Sequence, residues 1–178
     1  MTAFTNKVDF AVIFTVNKAN PNGDPLSGNQ PRIDFKGFGE VSDVCIKRKI
    51  RNRLQDMGEN IFVQSDERSS DGFKSLSERA SNNKELKAVL KDREAYAAAA
   101  CKQWTDVRAF GQVFAFKTNN VSVGVRGPVS IRTAESINPV VTTDMQITKS
   151  VNSEPSEKRS SDTMGMKHRV DFGLYVCK

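Results

Sequence analysis

The sequence has a single histidine, His168, only three cysteines, and no long apolar run. Each scarcity removes a class of function. One imidazole cannot build a His-rich metal site and argues against most His-based catalysis; a lone His is more often a structural or hydrogen-bonding residue. Cys45, Cys101 and Cys177 lie far apart without a Cys-x-x-Cys pair. They give neither a disulfide framework nor a zinc signature, and a reducing cytoplasm is the expected setting. No stretch approaches the length of a membrane span, and the N-terminus carries no apolar leader. There is no Gly-x-Gly-x-x-Gly fingerprint, P-loop, nucleophile elbow or metal-type clustering of acids. No cofactor or metal is expected.

What the chain does have is positive charge. The 178 residues, 38% of them hydrophobic, carry a net charge of +6, with a pI near 9.3. That length fits one domain with room for an appended lobe. The basic excess points to a polyanionic partner, most simply nucleic acid, although it also serves plain solubility.

Val8 to Val16 alternates Val8, Phe10, Val12, Phe14 and Val16 with a second, partly apolar face, which predicts a well-buried strand. The stretch from Asn20 to Arg32 contains Pro21, Gly23, Pro25, Gly28 and Pro31, and these exclude helix and central strand. It is either a bent surface loop or a cradle whose successive N–H groups converge on a phosphate or base edge. A short strand is expected from Arg32 to Phe35. Ser42 then caps a helix, with Asp43 in its first turn and Gly58 at its end. Ile46, Ile50, Leu54 and Met57 share its apolar face. Lys47, Arg48, Lys49, Arg51 and Arg53 occupy much of the rest, with Arg48 and Arg51 projecting farthest from the apolar stripe. Few acids stand at spacings of three or four, so these cations read as unpaired: a solvated face or a phosphate-binding one.

From Gln64 to Leu76 the chain is polar and reads as a mobile loop. A helix is expected from Lys84 to about Gln103, through the run Ala97 to Ala100. Thr105 to Gly111 leads into a strand at Gln112 to Phe116, Lys117 to Asn120 turn, and Val121 to Ile131 continues extended. Gly127-Pro128 marks a bulge or edge where the backbone approaches something closely. Val170 to Val176 is the last strand. The order of strands and helices fits an α/β sandwich, not the strict β-α alternation of a doubly wound fold.

The stretch from Asn138 to Leu174 organises the rest. Two alternating runs flank a polar segment, Val151 to Ser161, which predicts a long hairpin with a polar tip. Lys149, Lys167, His168 and Arg169 interleave with Met145, Met164 and Met166. Such a mixture suits a strand of nucleic acid held by its phosphates and unstacked at intervals; an ordinary loop with core methionines is the alternative.

Seven stretches in order carry a resemblance: Asn-Pro-Asn-Gly-Asp-Pro at 20–25, Gly-Asn-Gln-Pro-Arg-Ile-Asp at 28–34, Val-Ser-Asp-Val-Cys-Ile-Lys-Arg-Lys-Ile-Arg-Asn at 41–52, Asp-Val-Arg-Ala-Phe-Gly at 106–111, Val-Arg-Gly-Pro-Val at 125–129, Ser-Ile-Asn-Pro-Val at 136–140 and Thr-Met-Gly-Met-Lys-His at 163–168. Together they resemble the repeated backbone subunit of the type I-C CRISPR surveillance complex, Cascade, of the RAMP superfamily. The resemblance runs from about residue 7 to the end. It implies an α+β fold: an RRM-like (ferredoxin-like) palm at about 7–58 and 104–137 with 170–178, a helical finger insertion at about 59–103, and a protruding thumb hairpin at about 138–169. It further implies a non-catalytic protein whose copies polymerise along the CRISPR guide RNA, each thumb flipping out a nucleotide so that the spacer is displayed in segments for target DNA. Partners would be the guide, target DNA through the guide, neighbouring copies, and the processing and large subunits. Asn20, Asn22, Asn29, Arg32, Lys47, Arg48, Arg51, Arg126, Lys149, Met164, Met166, Lys167 and His168 are then the expected RNA contacts. Such a protein must hold any spacer sequence, so phosphate and 2′-OH contacts with base-indifferent wedges are the chemistry it needs.

Members of that family are longer, so a fragment, a truncated reading frame or a naturally short form is expected, with part of the palm missing and an apolar sheet face open. Two competing functions remain: an RNA endonuclease using an acid such as Asp24 or Asp34 near a glycine-rich loop, and a truncated decoy that caps the guide-RNA filament.

Overall fold

The computed structural model describes residues 5–116, 121–148 and 164–178. In chain order these form β1 (Val12–Ala19), β2 (Gly23–Asp24), β3 (Gln30–Pro31), β4 (Phe38–Val41), α1 (Asp43–Asp56), α2 (Leu76–Asn82), α3 (Lys84–Ala88), α4 (Arg93–Gln103), α5 (Thr105–Phe110), β5 (Gly111–Phe116), β6 (Val121–Arg126), β7 (Ala134–Pro139), β8 (Thr142–Thr148) and β9 (Met164–Cys177). The fold is mixed α+β, in two compact units: residues 1–46 with 131–178, and residues 47–130. Residues 47–58 and 104–130, expected with the palm, thus fall in the same unit as 59–103.

The first unit is an antiparallel sheet in the order β1-β9-β7-β4, with β8 also on β9. Its centre is β9. The second half of β9 pairs with β1, from Ala19 opposite Val170 to Val12 opposite Cys177, and the first half pairs with β8. Glu135 faces Val176 while Thr142 faces Val170, so one extra residue is taken up between β7 and β8 as a bulge. On one face of the sheet Phe14 stacks on Tyr175 at 5.5 Å between ring centroids. Val16, Val41, Ala134, Val170, Tyr175 and Cys177 are buried.

Two expectations fail in this unit. The first strand begins at Val12, four residues later than predicted, and only Val16 in it is buried. It lies at the end of the sheet, and on one face Ile13, Ile137 and Phe172 stay exposed. The second face of the alternation is therefore uncovered among the described residues, although its composition is partly apolar. Arg32 to Phe35 is not a strand either. A single bridge pairs Ile33 with Gly39, and the chain then turns.

The second unit packs around aromatic rings. Phe62 lies 4.5 Å from Trp104 and 5.1 Å from Phe114, and Tyr96 meets Phe114 edge-on at 5.4 Å. Ala80, Leu86, Ala100, Val107 and Val123 complete the cluster. Each such ring or large aliphatic group withdrawn from water contributes about 1.5–3 kcal/mol. The helix predicted from Lys84 to Gln103 is two helices. Asp92 accepts hydrogen bonds from the N–H groups of Glu94 and Ala95, each at 3.0 Å, and so starts α4 afresh. Thr105 to Phe110, expected as lead-in chain, is α5, which ends at Gly111 with φ +79°. The close approach predicted at Gly127 is present: a Cβ there would lie 2.2 Å from the carbonyl oxygen of Ala109. Backbone meets backbone at that point. Lys117 to Asn120 lies outside the described residues.

Candidate nucleic-acid interface

The hairpin of β8 and β9 pairs Thr148 with Met164, Gln146 with Met166, Asp144 with His168, and Met145 with Lys167. Side chains alternate across a strand, so Met164, Met166 and His168 share one face and Lys167 and Arg169 the other. Closeness in sequence had suggested one combined wedge-and-cation site. The pleat separates its members. Met164 and Met166 are 51% and 56% exposed, which suits a wedge and excludes core methionines. Lys167 is exposed as well. Lys149 lies outside the described residues.

His168 is not a free cation. Its side chain is 11% exposed, and Nδ1 sits 2.6 Å from the Asp144 carboxylate. Asp144 also accepts a 3.4 Å hydrogen bond from Gln30 Nε2. The base of the hairpin is thereby joined to the Asn20–Arg32 loop. Next along β9, Arg169 Nε donates to Asp171 at 3.1 Å, and Asp171 accepts from the Thr143 hydroxyl at 2.8 Å.

The Asn20–Arg32 loop is ordered by its own polar groups. β2 and β3 pair, Asn29 N–H donates to the Asp24 carbonyl at 2.8 Å, and Gly28 and Asn29 both take left-handed φ. The N–H groups expected to converge on a ligand therefore bond within the loop at Asn29, Leu26 and Arg32. Asn22 Oδ1 accepts from both the N–H and the hydroxyl of Ser42, each at 2.9 Å. Ser42 Oγ in turn accepts from Cys45 N–H, so Asn22 is the outer layer of the α1 cap. Asn20 Nδ2 donates to the Asn29 carbonyl at 2.7 Å, while its Oδ1 is buried without a partner among the described residues. Arg32 is paired with Asp24 at 3.1 Å. Asp24 also caps the turn at Pro25–Ser27, and Asp34 accepts two backbone N–H bonds, so both candidate nuclease acids hold turns. No group of three or more His, Cys, Asp or Glu suited to a metal occurs among the described residues.

Helix α1 differs most from expectation. No residue in it is fully buried, and Met57, predicted on the packed face, is 65% exposed. Arg51 and Arg48, predicted to project outward, turn inward. Arg51 Nε donates at 2.9 Å to Asp106, whose side chain is 1% exposed, and the guanidinium lies 5.2 Å from the centroid of the Phe110 ring. Arg48 Nη1 donates to the Val63 carbonyl at 2.7 Å. Burial, and then the neighbouring Arg51, push the Arg48 guanidinium down from its ordinary value, with Asp106 opposing. Their partners lie 15 and 55 residues away, beyond any i to i+4 count. Lys47 is engaged too. Arg126, at the end of β6, is exposed.

Sequence reasoning missed Leu26 and Phe35, which are 95% and 94% exposed on tightly bonded turns. The available signal was a large apolar residue inside a run of Gly, Pro, Asn and Asp.

The arrangement is an antiparallel pair, β8 with the first half of β9, that presents flexible apolar side chains on one face and a cation on the other. The description "CRISPR-associated protein Cas7" matches residues 6–178, and the chain belongs to that family. It is 30% identical over 150 residues to a protein of Haloferax volcanii described as "CRISPR-associated protein Cas7", covering 76% of this chain and 44% of that one. A chain in a solved structure described as "CRISPR RNA-guided surveillance complex, pre-nicking" is similar at 18% identity with a TM-score of 0.46, over 94% of this chain and 60% of that one. The chain thus spans less than half the length of the curated relative. No described helix is long and apolar enough to cross a membrane.

Proposed function

We propose that this protein is a non-catalytic backbone subunit of a type I-C Cascade, acting in the cytoplasm. Copies line up along the guide RNA and display its spacer for pairing with target DNA. They work beside the processing and large subunits. In this reading about 7–58 and 104–137 with 170–178 form an RRM-like palm, 59–103 is the finger insertion and about 138–169, with β8 and the first half of β9, is the thumb. Met164 and Met166 are the wedge, while Lys149, Lys167 and Arg126 serve phosphates. Asn20, Asn29, Arg32 and Lys47 add polar contacts, and Asn22, Arg48, Arg51 and His168 act indirectly, by fixing the chain around them.

The observation that carries the reading is the register of the hairpin. It sets two half-exposed methionines on one face, and flexible apolar groups unstack a strand without reading its bases. Family membership supports the choice of guide RNA. The test is size-exclusion chromatography of the protein with single-stranded RNA of increasing length. A ladder of bound copies that grows with RNA length is expected. One copy per RNA at every length would sink the backbone role and favour a filament cap.

A further inference from the structure

A phenylalanine that is 94% exposed needs an explanation when the chain around it is fixed. Phe35 stands at the tip of a turn whose bonds, one excepted, are drawn from the same short stretch. Asp34 Oδ1 accepts the N–H groups of Lys36 and Phe38, both at 2.8 Å. Asp34 N–H donates to the Phe38 carbonyl at 2.8 Å, and Gly37 N–H donates to the Asp34 carbonyl at 3.1 Å. Gly37 supplies the left-handed φ of +86° that closes the turn. Its carbonyl accepts from Val140 N–H at 2.9 Å, which ties the tip to the chain just after β7. The ring is therefore displayed on a braced backbone and does not fold back onto its own unit.

The groups beside Phe35 narrow the kind of partner. Lys36 Nζ lies 5.5 Å from the ring centroid, over one face, and the rest of the ring is open. Asp34, Lys36 and Gly37 are not apolar, Phe38 at the close of the turn is partly buried and Ile33 before it is 48% exposed, so Phe35 is the one aromatic of the turn that stands almost fully in solvent. A protein surface that buried it would have to desolvate the adjacent ammonium. A nucleobase stacks on the ring while its phosphate meets Lys36, and the basic chain favours that anion.

We infer that Phe35 and Lys36 form a stacking platform for one base of single-stranded nucleic acid, separate from the methionine wedge. The inference rests on the RNA-binding reading and adds a site to it. Stacking is indifferent to base identity, so the platform serves any spacer. The strand on it is either the guide or an unpaired stretch of target, and oligonucleotide chemistry distinguishes them.

The test is fluorescence anisotropy with labelled single-stranded RNA and DNA of one sequence, and with abasic versions of each. Phe35→Ala is expected to weaken binding about tenfold or more without altering the salt slope, and Phe35→Tyr to restore it. Lys36→Gln is expected to flatten the slope of log affinity against log salt by about 0.7. Abasic substitution is expected to weaken the wild type and to leave Phe35→Ala unchanged. A larger Phe35→Ala effect on RNA than on DNA assigns the platform to the guide, and the reverse assigns it to the target. Wild-type affinity in Phe35→Ala overturns the platform and leaves RNA binding standing. Full recovery by Phe35→Leu overturns stacking in favour of plain apolar contact. Loss of self-association without RNA, with oligonucleotide binding intact, makes the ring a protein contact and overturns the platform too. Failure of the wild type to bind either oligonucleotide removes the functional reading and the platform together.

Discussion

Asp106 offers the sharpest energetic test, because one carboxylate holds three donors. Its Oδ1 accepts from Phe62 N–H at 2.7 Å, and Oδ2 accepts from Val63 N–H at 3.1 Å and Arg51 Nε at 2.9 Å. The side chain is 1% exposed, so water cannot replace it. Asp106→Ala leaves two backbone N–H groups unsatisfied, at about 1–3 kcal/mol each. It also strands a guanidinium that is 13% exposed, and breaking a buried pair costs about 3–5 kcal/mol. These terms overlap, and a net loss of at least about 3 kcal/mol is expected. Arg51→Ala should cost less, since Asp106 keeps both backbone donors. The assay is urea denaturation of both single variants and the double variant, followed through Trp104, which packs on Phe62. The double variant should resemble Asp106→Ala, because the two groups act as a unit. A loss under about 1 kcal/mol in Asp106→Ala would refute the reasoning. The same series tests α1: if Arg51 is structural, its removal changes stability and leaves the salt slope of RNA binding unaltered.

Tyr175→Phe should be neutral or stabilising, because the buried Tyr175 hydroxyl has no partner among the described residues, and thermal melting reads it directly. The Arg79 hydrogen bond, foremost, holds the Asp71 carboxyl below the usual carboxylate range, with burial opposing. A depressed folded value means stability that is present above the unfolded value of about 3.9 and lost as pH falls through the folded one, so Asp71→Asn should flatten the acid limb of stability against pH. An acid limb unchanged in Asp71→Asn would show that the pair contributes nothing. Changing Met164 and Met166 to Ala should leave the fold intact and abolish the regular pattern of reactive guide nucleotides in chemical probing. A preserved pattern would place the wedge elsewhere.

Local chemistry was legible in the sequence, and partners distant along the chain were not. The cap at Ser42, the stop at Gly58 and the hairpin after Thr142 follow from residue type and spacing within a few positions. The inward turn of Arg51 depends on Asp106, and the cover of His168 depends on Asp144. No window of neighbouring residues contains either pair. The break at Asp92 was readable, since an Asp can cap as well as continue a helix, but the alanine run after it argued for continuity. The exposure of β1 depends on what lies over one face of the sheet, which its alternation does not contain. Phe35 was hidden for a different reason: an apolar side chain reads as core unless its turn is recognised.

The paired register of β8 and β9 also governs which length changes the protein tolerates. Seven cross-strand pairs, from Thr142 with Val170 to Thr148 with Met164, lock the two strands whatever number of residues joins them. Insertions or deletions between Thr148 and Met164 therefore leave Met164 and Met166 on their face. One residue inserted between Arg169 and Val170 reverses the alternation of the whole first half of β9, exchanges the methionines for Lys167 and Arg169, and uncouples His168 from Asp144.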